Sequence, residues 1–244
     1  MYDYGEACPI SKATSILGER WTIQILREMM LGAARFSEFQ RLMPRISPTI
    51  LNTRLKSLEE SGIVLRKRMP EQRGFAYYLT PAGKALRPMM AELGKWGMRW
   101  AFEGLVDEEL NAVAILRDIA VKMKLDELPA GDLTIEFHLT DLPDKKVRYI
   151  LVRDGAARMC DENPGYEVDL YVRSNLRTLT ELWYGFTDLA AARTSGAFEV
   201  VGPTVYTRSL ARWFPTSDFA ADNPHRSVPA AAPATPARRS RKTP

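Results

Sequence analysis

Cysteine and histidine are scarce in this chain, and their scarcity excludes more than any motif does. Two cysteines in 244 residues, Cys8 and Cys160, cannot make a disulfide framework. Two histidines, His138 on a strand face and His225 near the C-terminus, leave no His-x-x-x-His or Cys-x-x-Cys spacing for a metal. There is no Gly-x-Ser-x-Gly elbow and no glycine loop for a phosphate. Asp154, Asp161 and Glu162 sit in turn-like surroundings, where carboxylates are solvated, and take no catalytic role. No apolar run approaches the roughly 18 residues of a membrane span, and the start carries no signal-peptide pattern. The expectation is a cytoplasmic protein that is not an enzyme, holds no metal or cofactor and has no membrane partner.

What is present is unevenly charged. Residues 1–103 carry 16 basic against 10 acidic side chains, residues 104–224 carry 13 against 20, and residues 225–244 carry 5 against none. A basic front fits a polyanion, and an acidic middle argues that the second part does not itself lie on DNA. With 45% hydrophobic residues the chain can fill two ordinary cores. The expected division is 1–104, 105–224 and a tail at 225–244.

The most informative stretch is residues 47–62, SPTILNTRLKSLEESG. Ser47 can cap a helix, Pro48 fits the first turn where no N–H is needed, and Gly62 supplies a left-handed stop. Leu51, Leu55 and Leu58 form an apolar stripe, while Thr49, Asn52, Thr53 and Lys56 recur at i, i+3, i+4 and i+7 on another face. A polar helix face is ordinarily just solvated. Here Phe36, Phe39, Leu42 and Met43 predict a preceding helix ended by Pro44, and VLRKRMPEQRGFAYYLT reads as a basic hairpin. Helix, turn, helix and hairpin make a winged helix-turn-helix, whose second helix enters the major groove of double-stranded DNA.

The run CPISKATSILGERWTIQILREMMLGAARFSEFQRLMPRISPTILNTRLKSLEESGIVLRKR, followed by YYLTPAGKAL, resembles the HxlR-type winged-helix transcriptional regulators over about residues 8–100. On this reading Ser47, Pro48, Thr49, Asn52, Thr53 and Lys56 form the groove face, and Arg54 reaches phosphate from its flank. Arg68, Gln72 and Arg73 set the wing against backbone or minor groove. The resemblance also implies that Cys8 is a candidate redox thiol, although no neighbouring charge in sequence marks it as reactive.

Thr80 and Pro81 open a predicted helix running to about residue 104. Leu86, Met90, Leu93, Gly97 and Trp100 repeat at 4, 3, 4, 3, a coiled-coil seam widened by Met89 and Trp96. The alternatives are packing on its own domain or homodimerisation, and the dimer is favoured because the resembled family pairs through terminal helices. Gly94 and Gly97 inside this helix point to close packing.

Beyond residue 105 the pattern changes to a helix over 107–125, then strands. Leu133, Ile135, Phe137 and Leu139 alternate with polar residues, Asp154-Gly155 marks a hairpin, and Val168, Leu170 and Val172 give another strand. Helix, turn, short helix, strand and helix follow, the order of an α+β domain. DLYVRSNLRTLTELWYG and RTSGAFEVVGP resemble the sterol-carrier-protein type-2 fold over about residues 107–214. That resemblance implies an apolar pocket for a hydrophobic small-molecule effector, with Phe137, Leu139, Tyr149, Leu151, Trp183, Phe186 and Phe198 as candidate lining. The expected architecture is therefore α+β overall, a winged helix-turn-helix followed by a sheet covered by helices. The expected function is a sequence-specific regulator, and the alternative is a lipid or acyl-CoA carrier whose winged helix is a docking module.

Overall fold

The computed structural model describes residues 4–70, 74–129, 131–144 and 146–227. In the first part α1 (Pro9–Leu17), α2 (Thr22–Met30), α3 (Phe36–Leu42) and α4 (Pro48–Glu60) precede an antiparallel hairpin of β1 (Val64–Arg68) and β2 (Phe75–Leu79). The α4 boundaries follow from local chemistry. Ser47 Oγ accepts the Ile50 amide at 3.2 Å with Pro48 in the first turn, and Gly62 closes the far end at φ +70°. Leu51, Leu55 and Leu58 are buried against Ile25, Leu26, Phe39 and Ile46, each contributing about 1.5–3 kcal/mol by leaving water. Ser47→Ala removes the acceptor for the Ile50 amide and is expected to cost about 1 kcal/mol, read as a lower midpoint in urea unfolding.

The single helix expected from Thr80 onward is two. Thr80 caps α5 (Pro81–Ala85), and α6 (Arg87–Trp100) starts anew after Leu86. Pro88 is the reason: it lacks the amide that would bond back to Lys84, so it is tolerated only in a fresh first turn. Gly83 is required beneath it, because a Cβ there would run into the Ile63 carbonyl.

The helix expected over 107–125 is shorter. A 3-10 turn at Asp107–Glu109 leads to α7 (Ala112–Lys122), capped by Asn111, whose Oδ1 accepts the Val113 and Ala114 amides at 3.0 and 3.2 Å. A mixed sheet follows, formed by β3 (Leu133–Leu139), β4 (Val147–Arg153), β5 (Ala156–Cys160), β6 (Leu170–Ser174) and β7 (Phe198–Val201) in the order β5-β4-β3-β6-β7. Only the β3–β6 pair is parallel. Asp154 and Gly155 both take positive φ, 52° and 70°, the geometry of a two-residue hairpin turn. The helices α8 (Leu176–Tyr184), α9 (Leu189–Thr194) and α10 (Thr204–Trp213) join α7 over one face.

α7 belongs to both halves. Ile115, Leu116 and Ile119 enter the core of the sheet, while Val113 and Ala114 pack on the core around α4. The segment 217–227 then returns to the first half: Arg99 pairs with Asp222 at 2.6 Å, and Phe219 lies against Gly94 where any Cβ would collide with its ring. Of the tail expected to be disordered, residues 225–227 are ordered, with His225 stacked on Phe186 and the Ser227 amide donating to the Gly185 carbonyl. Residues 228–244 lie outside the described residues.

Candidate nucleic-acid interface

α4 exposes Thr49, Asn52, Thr53 and Lys56 in one row, with Ser47 and Pro48 at its head. The side chains in that row are not equally available. Thr53 Oγ1 donates back to the Thr49 carbonyl at 2.9 Å, and Lys56 makes only an exposed pair with Glu60 at 3.7 Å, worth a few tenths of a kcal/mol. Asn52 is exposed and has no bonding partner among the described residues, so both its amide donor and its acceptor face outward. Ile50, 41% exposed beside Thr49, is a further candidate that the polar pattern did not flag; an apolar side chain at the head of such a helix suits a thymine methyl.

Arg54, expected to reach outward, is turned the other way. Its guanidinium pairs with Glu19 at 2.6 Å and its Nε donates to the Arg20 carbonyl at 3.1 Å. That grip fixes α4 to the α1–α2 turn, where Trp21 holds a left-handed backbone at φ 78°.

On the hairpin, Arg68 is exposed near the tip, Arg66 lies over the Phe75 ring with 3.6 Å from guanidinium carbon to centroid, and Lys67 approaches Tyr78 at 5.9 Å. Such stacking holds charge outward at little entropic cost. Gln72 and Arg73 lie outside the described residues.

The expected seam of α6 divides between two faces. Leu86 packs on the core around α4 and Met90 faces a cleft. Met89, Leu93, Trp96 and Trp100 form an outward row, 40%, 45%, 58% and 71% exposed. An added Cβ on Gly97 meets nothing within 4 Å, so of the two glycines only Gly94 serves close packing within the chain. Cys8 stands exposed at the head of α1, where the amides of Ser11 and then Ile10 hold its thiol below the usual range.

The seven residues expected to line one apolar pocket are not gathered around one. Phe137, Leu139 and Phe198 are fully buried in the hydrophobic core on the helix-covered face of the sheet. Phe137 pairs in register with Arg148, which sends Tyr149 and Leu151 to the opposite face. There burial, followed by the Glu136 carboxylate, raises the Tyr149 pKa. Phe186 lies outside both sets, tilted against Phe102. Only Trp183 borders a substantial cleft.

The clefts lie between the halves. One of about 720 Å³ is bordered by Met43, Pro44 and Arg45 of the turn into α4, by the connection through Val106, and by Leu176 and Tyr184. Another of about 310 Å³ lies between α2, α6 and α8. Arg27, Asp118 and Tyr184 border both, and they belong to a buried ionic cluster. Asp118 receives Arg27 at 2.6 Å and Arg117 at 2.7 Å, and Glu28 receives Arg117 at 2.6 Å and also pairs with Arg27. Burial works to lower the Arg27 pKa, but Asp118 and Glu28 outweigh it and raise it; burial likewise pushes the Tyr184 phenol up. Further ties across the boundary are Arg41 to Asp161, Arg45 to the Glu108 carbonyl at 3.0 Å and Asn111 to the Leu42 carbonyl at 3.3 Å. Among the described residues no three acidic, histidine or cysteine side chains cluster as a metal site, and no helix is long and apolar enough to cross a membrane.

Helices α2, α3 and α4 followed by a basic hairpin, with the polar face of α4 turned outward, define a winged helix-turn-helix protein. Residues 16–104 match the model of the HxlR-like helix-turn-helix family, and the chain belongs to that family. It is 39% identical over 104 residues to the uncharacterized HTH-type transcriptional regulator YvaP of Bacillus subtilis, spanning 42% of this chain and 96% of YvaP. It is 37% identical over 99 residues to the HTH-type transcriptional regulator YodB of the same organism, spanning 40% of this chain and 88% of YodB. The solved reduced form of YodB from B. subtilis is 36% identical, covering 41% of this chain and 100% of that one at a TM-score of 0.36. The sheet and its helices lie beyond the matched residues.

Proposed function

We propose that the chain is a sequence-specific, homodimeric DNA-binding transcriptional regulator whose α4 enters the major groove and whose hairpin lies along the adjacent backbone. The observation that carries this is Asn52: an outward amide with both hydrogen-bonding groups unspent, on a helix fixed from behind by three buried leucines. A bidentate side chain of this kind reads adenine at its N6 and N7 edge. Membership of a family of helix-turn-helix proteins, with relatives described as transcriptional regulators, supports the same reading. Arg54 acts as a positioning residue through Glu19.

The remainder of the chain is read as the sensing half. Its sheet with helices on one face fits the sterol-carrier type in architecture. The split of the expected lining between the two faces of the sheet favours an effector site at the boundary with the reader, where the clefts lie. Cys8, exposed with a lowered thiol pKa, has the chemistry of a thiol switch.

The test begins with selection of bound random oligonucleotides, followed by anisotropy titrations on the selected duplex. Asn52→Ala is expected to lose about 1–3 kcal/mol of discrimination at one base pair in each half-site. Arg68→Ala is expected to weaken binding to all duplexes alike and to reduce the salt slope by about one. Unchanged affinity, specificity and salt slope in both variants would place the DNA elsewhere.

A further inference from the structure

The smaller cleft has the form of a ligand site. Its apolar walls include Ile23, Met30, Met90, Trp183 and Phe219, and the exposed Arg87 also borders it. A concave space of about 310 Å³ with mostly apolar and aromatic walls and a few polar groups is the usual form of a small-molecule site. Thioethers and rings on facing walls adapt to an apolar guest.

The charges at the cleft select the sign of that guest. Four cations, Arg27, Arg87, Lys95 and Lys122, border it against two carboxylates, Asp118 and Asp218. Three of the cations are already engaged: Arg27 with Glu28 and Asp118, Lys95 with Glu92 at 2.7 Å, and Lys122 with Asp218. Arg87 is exposed, and among the described residues no carboxylate lies within ion-pair distance of it. One uncommitted guanidinium beside an apolar hollow suits a single negative charge, and a carboxylate matches its planar fork.

We propose that this cleft binds a small apolar carboxylate and that its occupancy shifts α6. The second half rests on the regulator reading above; the first does not. α6 presents Met90, Leu93 and Gly94 to the cleft, with Leu93 at its edge, while Met89, Trp96 and Trp100 line its outer side. Phe219 sits on Gly94 as the movable wall, carried by a strap held at Arg99–Asp222, at the Ser217 amide to the Trp183 carbonyl (2.7 Å), and at Asn223 to the Tyr184 carbonyl (2.9 Å). A guest beside Met90 would touch this ring and α6 together, so its contacts bear on how the two are placed. It changes DNA binding only to the extent that it prefers one arrangement of α6 over the other.

The test is calorimetric titration of the full chain with 2-naphthoate and with decanoate, using decanol and decyltrimethylammonium as controls. Saturable binding of one carboxylate per chain is expected, and which of the two binds tells an aromatic from an aliphatic guest. Arg87→Ala, a surface change that leaves the fold intact, is expected to weaken it about tenfold. Met90→Trp fills the hollow and is expected to abolish binding, with its melting curve showing that it folds. No saturable binding by either carboxylate, equal binding of decanol, or indifference to Arg87→Ala overturns the site. Saturable binding that leaves operator affinity unchanged overturns the coupling to α6. Absence of any operator binding by the unliganded protein faults the regulator reading instead, and leaves the calorimetric result standing.

Discussion

Asp118→Ala is expected to lower the unfolding free energy by about 3–5 kcal/mol, the largest single-residue loss outside the hydrophobic cores. Asp118 and Glu28 are each only 4% exposed at the side chain, and between them they neutralise two guanidiniums. Deleting one carboxylate leaves Arg27, 38% exposed, and Arg117, 13% exposed, sharing Glu28, so the net positive charge falls mainly on the buried Arg117. The arginines cannot shed it by deprotonation. For a chain of this size the melting temperature should fall by roughly 6–20 °C. The urea midpoint should fall, and the slope with it as the two halves cease to unfold together. Lys56→Ala is the internal comparison: its pair with Glu60 is exposed, so its loss should stay within about 0.5 kcal/mol. A loss from Asp118→Ala as small as that would mean the cluster is effectively hydrated. The cluster also joins α2, under the reader, to α7, under the sheet. Asp118→Ala should therefore loosen the two halves from each other before either core melts, seen as faster amide exchange in α7 than in β3 or β4.

How far the sequence could be read depends on whether a feature is local. The ends of α4 are fixed by Ser47, Pro48 and Gly62 themselves, so the helix and its outward row were legible residue by residue. The Asp154-Gly155 hairpin was legible for the same reason. The break at Leu86 is also local, and Pro88 carries its signal: a proline eight residues into the helix expected from Pro81 demands a new first turn. The failure of the single pocket has a different cause. Alternation along β3 and along β4 shows which residues of each strand share a face. Which face of β4 joins which face of β3 depends on the register across the connection between them, and the pairing of Phe137 with Arg148 settles it against Tyr149 and Leu151. The ionic cluster left a trace that went unread. Glu28 lies between Leu26 and Met29, and Asp118 between Leu116 and Ile119, each a carboxylate inside an apolar stripe and next to an arginine. Arg54 could not be placed from its own helix, because its partner Glu19 comes from 35 residues upstream.

Leu93→Lys combined with Trp96→Lys is expected to convert a dimer into a monomer and to lower affinity for a two-half-site operator by at least about a hundredfold. Met89, Leu93, Trp96 and Trp100 are large apolar side chains in one outward row, and the described residues leave 40–71% of each exposed. A contiguous row of this kind on a soluble protein marks a contact surface. A twofold pair is the simplest closed assembly that buries it, since the same row serves on both copies. Two lysines in that seam would each face a lysine or an apolar neighbour across the axis, which removes the packing and adds repulsion. The fold itself should survive, because the inner side of α6 is held independently by Phe219 on Gly94 and by Arg99 with Asp222. Sedimentation equilibrium reads the mass, and anisotropy on duplexes carrying one or two half-sites reads the consequence. The wild type should prefer two half-sites about 34 Å apart, whereas the double variant should bind both duplexes with the same weak, salt-sensitive affinity. If the variant stays dimeric and keeps its preference, the pairing surface is not α6, and the exposed Ile10 face of α1 becomes the next to substitute. If it becomes monomeric yet keeps the preference, one copy must already span the site, and α4 cannot be reading it in duplicate.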